Sequence, residues 1–193
     1  MKRLILTALL LLTSPAWAAP IEDATAAYAR GDYAAELRIT RPLAAKGEAW
    51  AQSFLGLSYK NGEGVPKNDA EAVKWFRLAA AQGNANAQHN LGVMYAQGQG
   101  VVQDYVEAVK WYRLAAAQGN ANAQYNLGLM YGKGQGVPMD DVRAHMWFNL
   151  AAVTGNADAV KNRDIAAKNM TPQQMAEAQK LARECQARNF KNC

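Results

Sequence analysis

Cysteine and histidine are scarce in this chain, which has two of each among its 193 residues. Both cysteines, Cys185 and Cys193, lie in the last nine residues. They do not form a C-x-x-C pair and no histidine lies near them, so the spacings typical of redox-active and zinc sites are missing. We therefore expect no metal site and no cofactor.

The sequence also lacks an apolar stretch long enough to cross a membrane. The stretch Leu4–Leu12 is far shorter than the roughly 20 residues that a membrane-spanning helix needs. It follows Lys2-Arg3 and precedes Ala16-Trp17-Ala18, which is the pattern of a cleavable signal peptide. We predict a signal peptide over residues 1–18, a periplasmic or secreted protein, and no stable membrane insertion.

An excess of one charge is absent from most of the chain. Residues 19–154 carry 12 basic and 12 acidic side chains, and the basic excess lies beyond Gly155. Dispersed charge in an exported protein argues against a nucleic-acid partner. Two interpretations of the basic C-terminal region stay open, which are contact with an anionic envelope surface and a solvated cap.

The two cysteines favour a disulfide, because an oxidising compartment and an even count both support one. They are eight residues apart, so a continuous helix would separate them by about 12 Å along its axis, too far to bridge. The last helix must therefore end near 187–189 and let the chain fold back. We predict a structural disulfide between Cys185 and Cys193.

Glycine marks a repeat of 36 residues, recurring at the start of each block. The second and third blocks are identical at 22 of 36 positions by direct count. A fixed period of this size is typical of a solenoid, in which each unit packs on its neighbours. The predicted units are an N-terminal partial repeat at 22–46, full repeats at 47–82, 83–118 and 119–154, and a divergent capping repeat with a basic tail at 155–193.

The first helix of each block follows an asparagine or a glutamate and contains an internal glycine. In the second block these residues are Asn84, an expected N-cap, and Gly92. Glycine inside a helix costs about 1 kcal/mol against alanine, so its repetition predicts close backbone contact there. The equivalent residues in the other two blocks are Gly56 and Gly128.

The second helix of each block follows a G-x-G turn and begins after an Asn or Asp. Asn68 is followed three residues later by Glu71, and Asp104 by Glu107, which predicts two reciprocal capping boxes. The turns are similar to phosphate-binding loops, but they lie between helices and no Lys-Ser or Lys-Thr follows. We therefore predict that these glycines serve turn geometry and bind no nucleotide.

The block pattern A-x-A-Q-x-x-L-G-x-x-Y-x-x-G-x-G-V, then D-x-x-x-A-x-x-W-x-x-x-A-A-x-x-G, resembles the Sel1-like repeat, a relative of the tetratricopeptide repeat. Residues 47–154 match it fully, and 22–46 and 155–189 resemble partial or divergent units. The resemblance implies an all-α, right-handed α/α superhelical solenoid of helical hairpins whose first helices line the concave side. It also implies a non-catalytic adaptor for protein complexes, often in bacterial envelopes or secretory pathways.

Some first-helix positions vary between blocks while the apolar positions stay constant. Such variation is what a recognition groove shows, and also what any exposed position shows. Tyr, Trp, His and Asn combine apolar contact with hydrogen bonding, so we predict that these positions bind a peptide or protein partner. The predicted partner-binding residues are Trp50, Asn86 and Asn122, then Ser53, His89 and Tyr125, then Phe54, Asn90 and Asn126.

The alternative is a weak hydrolase that acts on β-lactam or cell-wall material, as reported for cysteine-rich exported relatives of the Sel1-like type. Those relatives carry paired cysteines in nearly every repeat, whereas this chain has their C-x7-C spacing once. Ser53 and His89 stand one repeat apart, which we expect to leave about 10 Å between them by analogy with stacked hairpins. His145 replaces a valine of the earlier blocks, so we predict its partial burial. We predict no catalytic residues.

Overall fold

The computed structural model describes residues 18–191 and 193. Over these residues the chain forms ten α-helices and no strand, which confirms the all-α prediction. The predicted signal peptide lies outside them except for Ala18, where the first helix begins. The helices are α1 (Ala18–Ala29), α2 (Tyr33–Ala45), α3 (Ala49–Asn61), α4 (Asp69–Ala81), α5 (Ala85–Gln97), α6 (Tyr105–Ala116), α7 (Ala121–Lys133), α8 (Asp141–Ala152), α9 (Ala157–Ala167) and α10 (Pro172–Ala187).

Three helical hairpins follow the repeated blocks. Helix α3 pairs with α4, α5 with α6, and α7 with α8, and the hairpins stack through the α4–α5 and α6–α7 contacts. Ahead of them, α1 packs on α2 and α2 packs on α3. Because each unit packs on its neighbours along the chain, the molecule is a helical solenoid, as predicted. None of the ten helices is both long and apolar enough to span a membrane.

Polar residues cap the helices, but the two predicted capping boxes, at Asn68 and Asp104, are wrong. The carboxylates of Glu71 and Glu107 bind Lys74 and Lys110 one turn later instead of returning to the cap backbone. An exposed ion pair at this spacing satisfies the carboxylate in solvent, so only the first half of each box forms. The side chains that cap these helices belong to Asn68, Asn84, Asp104, Asn120, Asp140 and Asn156.

The internal glycine of each first helix makes room for an aromatic ring of the following helix. A Cβ on Gly92 would lie 2.6 Å from the ring of Tyr112, closer than carbon atoms approach. The predicted close contact therefore exists: the aromatic ring is nearest, and the backbone oxygen of Ala108 would also lie 3.2 Å from that Cβ. At Gly56 and Gly128 the rings belong to Phe76 and Phe148, at 2.7 Å and 2.5 Å.

The second glycine of the G-x-G turns seats each turn against the preceding hairpin. Gly100 has a φ of +67°, and a Cβ there would lie 2.4 Å from the carbonyl oxygen of Asp69. Gly136 repeats this arrangement over Tyr105, with a φ of +70° and a distance of 2.3 Å. These positions require both the left-handed conformation and the missing side chain that glycine provides.

The C-terminal end closes on α8. Helix α10 packs chiefly on α8, ends at Ala187, and is followed by a turn in which Asn189 and Phe190 have positive φ. The turn brings Cys193 back to Cys185, whose Cα atoms are 5.5 Å apart in a disulfide. The structure thus contains the predicted disulfide and the predicted helix end.

Candidate functional site

A groove crosses the first helices of the three hairpins. It has a volume of about 280 Å³ and is walled by α3, α5 and α7. Six of the nine predicted partner-binding residues line it together. The lining residues are Ser53, Phe54, Leu57, Asn86, His89, Asn90 and Asn122.

The other three predicted residues support the groove from its edges. Trp50 packs edge-on against Phe54, with ring centroids 6.1 Å apart. Tyr125 packs on Phe148 at 5.7 Å, so its ring contributes to the hairpin interior. The third residue, Asn126, reaches back to His89 of the previous repeat. Tyr125 is therefore a weaker candidate for partner contact than the residues of the cavity wall.

Hydrogen bonds between successive first helices follow the repeat. The amide nitrogen of Asn126 lies 3.2 Å from Nε2 of His89, and the amide of Asn162 donates to the Tyr125 hydroxyl at 3.2 Å. Both pairs are 37 residues apart in sequence, one repeat and one residue. We call these inter-helix hydrogen bonds rungs. They fix the spacing of α5, α7 and α9, so the groove wall is held in shape before any partner binds.

The first rung differs because a lysine supplies it. Nζ of Lys60 donates to Oδ1 of Asn90 at 3.2 Å, where the regular pattern would place Ser53. The serine side chain is too short to span the helices, and in the described part of the chain it bonds to no residue of α5. Burial lowers the pKa of Lys60, an effect that the field of Asp69 opposes and that of Lys67 reinforces.

His89 is neutral at physiological pH. Burial lowers the pKa of His89 to about 4, and the positive charge of Lys60 adds to this effect. A neutral imidazole with Asn126 donating to Nε2 carries its proton on Nδ1. The groove therefore offers amide and imidazole groups without an ionised histidine.

An aromatic cluster of α1 and α2 adjoins the groove at Phe54. The Tyr28 ring lies 6.0 Å from Phe54 and 5.6 Å from Tyr33, both edge-on. Burial, together with a hydrogen bond to Glu63, raises the pKa of Tyr28 to about 12. The charge of Glu63 is also the main cause that raises the pKa of Tyr33.

The sequence did not identify all residues of this site. Leu57 lines the cavity, and its position one turn after Ser53 and Phe54 on the same helix could have revealed it. Asn162 extends the series of Asn126 by one repeat, so the 36-residue register could have included it. Lys60 could have been noticed because it departs from the repeat, in which the equivalent residues are Ala96 and Gly132.

The geometry offers no acid–base–nucleophile arrangement at the groove. Ser53 and His89 both line it, but Nε2 of His89 is taken by Asn126 and the serine is not bonded to the histidine. Within residues 18–191 and 193, His, Cys, Asp and Glu side chains nowhere converge in groups of three that could hold a metal ion. His145 is 4% exposed, so it is buried more completely than the predicted partial burial.

The family profile described as Sel1 repeat matches residues 51–84, 85–120 and 121–152. Among solved structures, a Sel1 repeat protein from Oxalobacter formigenes is 34% identical, with a TM-score of 0.71 over 76% of this chain and 58% of its own. A protective antigen present in uropathogenic Escherichia coli strains, displaying an SLR fold, is 32% identical. Its TM-score is 0.62 over 81% of this chain and 41% of the antigen.

The chain therefore spans less than two thirds of the length of either solved protein. A comparison with curated proteins gave no match.

Proposed function

Because the chain belongs to the Sel1 repeat family, whose fold is commonly a protein-interaction scaffold, we propose that it is a non-catalytic scaffold that binds a protein or peptide partner in the groove. The observation that carries this proposal is the groove itself. Three successive hairpins contribute to one cavity that combines exposed amides with the apolar surface of Phe54 and Leu57. Extended peptides are bound by such surfaces through main-chain hydrogen bonds and side-chain pockets.

Amide side chains suit the main chain of a peptide. Asn86 and Asn122 are exposed on the groove wall. The amide of Asn122 presents both a donor and an acceptor to a peptide group, and Asn86, whose Oδ1 accepts from Asn120, presents its NH2 group. The rungs between helices hold this wall in place, so little conformational entropy is lost on binding. These features suit the binding of a peptide rather than catalysis of its hydrolysis.

We place the protein in the periplasm or outside the cell. The residues before Ala18 have the pattern of a signal peptide, and the disulfide suits an oxidising compartment. Contact of the basic C-terminal region with an anionic envelope surface stays a prediction, supported by exposed Lys161, Arg183 and Lys191. Identifying the partner would identify the cellular process in which the scaffold acts.

Site-specific photo-crosslinking in cells tests the proposal. A photoreactive residue is placed at Asn122 in the groove and, as a control, at Lys74 on the exposed face of α4. We expect a discrete adduct from position 122 that is absent from position 74. Equal and diffuse capture from both positions would contradict a groove-bound partner.

The hydrolase alternative is tested separately. Purified protein is assayed for β-lactam and peptidoglycan hydrolysis beside a Ser53→Ala variant. We expect no turnover in either protein, because Ser53 has no base within its hydrogen-bonding partners. Turnover that disappears in the variant would establish an enzyme.

A further inference from the structure

We propose that the end of the groove at α3 and α5 selects peptide segments that carry an Asp or Glu side chain, with Lys60 as the partner of that carboxylate. This inference rests on the proposed function and specifies the chemistry of its partner. It assigns a charge preference to one end of the groove and an amide surface to the rest.

The ammonium group of Lys60 forms no direct ion pair with any of the residues that the structure describes. Its Nζ donates to the neutral amide of Asn90. The carboxylate whose field reaches it, Asp69, is paired with Lys67 at 3.9 Å. An ammonium group has three donors, so two remain for a ligand at this position.

Partial burial makes this charge more selective than an exposed lysine. Lys60 is half-buried between α3 and α5, and the resulting desolvation already lowers its pKa. The folded protein has therefore already removed part of the water around the ammonium group, so binding a partner requires less further desolvation. A carboxylate placed here is screened less by salt than one that meets a surface lysine.

The wall of the groove does not compete for the lysine. The lining residues include no Asp or Glu, and His89 is uncharged at physiological pH. A partner carboxylate beside Asn90 would therefore meet one positive charge and several neutral donors. An acidic side chain is the peptide group that gains most from this environment.

The position of Lys60 gives the groove two different ends. The equivalent residues Ala96 and Gly132 provide no charge in the next two repeats. Asn90, which accepts the hydrogen bond from Lys60, lines the same cavity as the apolar side chains of Phe54 and Leu57. The preferred segment therefore carries an acidic residue next to a large apolar one, and this pairing fixes the register in which it binds.

Peptide selection tests the inference. A random-peptide library displayed on phage is selected against the immobilised protein, against Lys60→Met, and against Lys74→Met, which removes an exposed lysine on α4 that is paired with Glu71. We expect acidic residues to be enriched at one position by the wild type and by the control, and not by Lys60→Met. Enrichment of apolar residues should persist in all three. A Lys60→Arg variant should keep the acidic preference.

The affinity of one selected peptide provides the second measurement. Replacing its Asp by Asn, or Lys60 by Met, should each weaken binding by about tenfold or more, and the two changes together no further. Thermal unfolding of each variant verifies the fold. Equal acidic enrichment with Lys60→Met would overturn the role of Lys60.

The remaining outcomes separate this inference from the proposed function. Selected peptides that compete for the groove but show no acidic enrichment would overturn the charge preference. They would still support the proposed scaffold function. If no peptide competes for the groove at all, the proposed function fails, and the preference fails with it.

Discussion

The buried carboxyl group of Glu36 leads to a prediction about pH. Glu36 lies on α2 with no exposed surface, at the position that alanine occupies in α4, α6 and α8. The Ser58 hydroxyl donates to its Oε2 at 3.3 Å, while its Oε1 and the Oγ1 of Thr40 have no hydrogen-bond partner. The interface between α2 and α3 therefore holds a carboxyl group that is poorly solvated and weakly bonded.

The sign of the effect follows from the pKa. Burial raises the pKa of Glu36, an effect that the Ser58 hydroxyl, which donates to the carboxylate, opposes. A folded-state pKa above the unfolded value of 4.5 means that folding favours the neutral form. The contribution of this group to stability is complete below pH 4.5 and is lost as the pH rises through the folded-state pKa.

Replacing Glu36 by Gln keeps the shape and removes the ionisation. At pH 7 the variant no longer has to bury a charge or to protonate, whereas the polar atom at the position of Oε1 stays without a partner in both proteins. We expect Glu36→Gln to be more stable than the wild type at pH 7 by about 1 kcal/mol or more, and each kcal/mol raises Tm by roughly 2–4 °C for a chain of this size. Below pH 4.5 the two proteins should differ little.

Chemical denaturation from pH 4 to pH 8 measures this difference. Glu22→Gln, which changes an exposed carboxylate on α1, serves as the control and should shift stability by less than about 0.5 kcal/mol. A Glu36→Gln variant that is destabilised at pH 7, or whose gain does not depend on pH, would refute the reasoning.

Three further predictions concern the core, the disulfide and His89. Gly92→Ala places a Cβ 2.6 Å from the Tyr112 ring, so urea denaturation should show a loss of about 1–3 kcal/mol, and an unchanged midpoint would contradict this packing. Replacing Cys185 and Cys193 by serine should lower the free energy of unfolding by about 2–3 kcal/mol, and equal stability of oxidised and reduced protein would argue against a stabilising bridge. In an NMR titration His89 should stay neutral down to pH 5, because its folded-state pKa is about 4, and stability should fall as the pH drops from 6.5 toward 4. A midpoint near 6.5 would show that the ring is solvated.

Local sequence signals determined the architecture of this protein. The capping residues and the G-x-G turns each act within a few residues of chain, and the 36-residue period repeats them, so together they predicted the hairpins without knowledge of the packing. The spacing of Cys185 and Cys193 required the last helix to end near Ala187, where it does end. Geometry along a single helix was sufficient for that inference.

Only the tertiary structure decided how the site is composed. The contact of Lys60 with Asn90 joins residues 30 apart, and that of His89 with Asn126 joins residues 37 apart. The sequence marks the first-helix positions that vary, but the angle and spacing of stacked hairpins decide which of them share a cavity. Tyr125 turns into a hairpin interior while Leu57 faces the groove, because side-chain direction depends on the neighbouring repeat rather than on the helix alone.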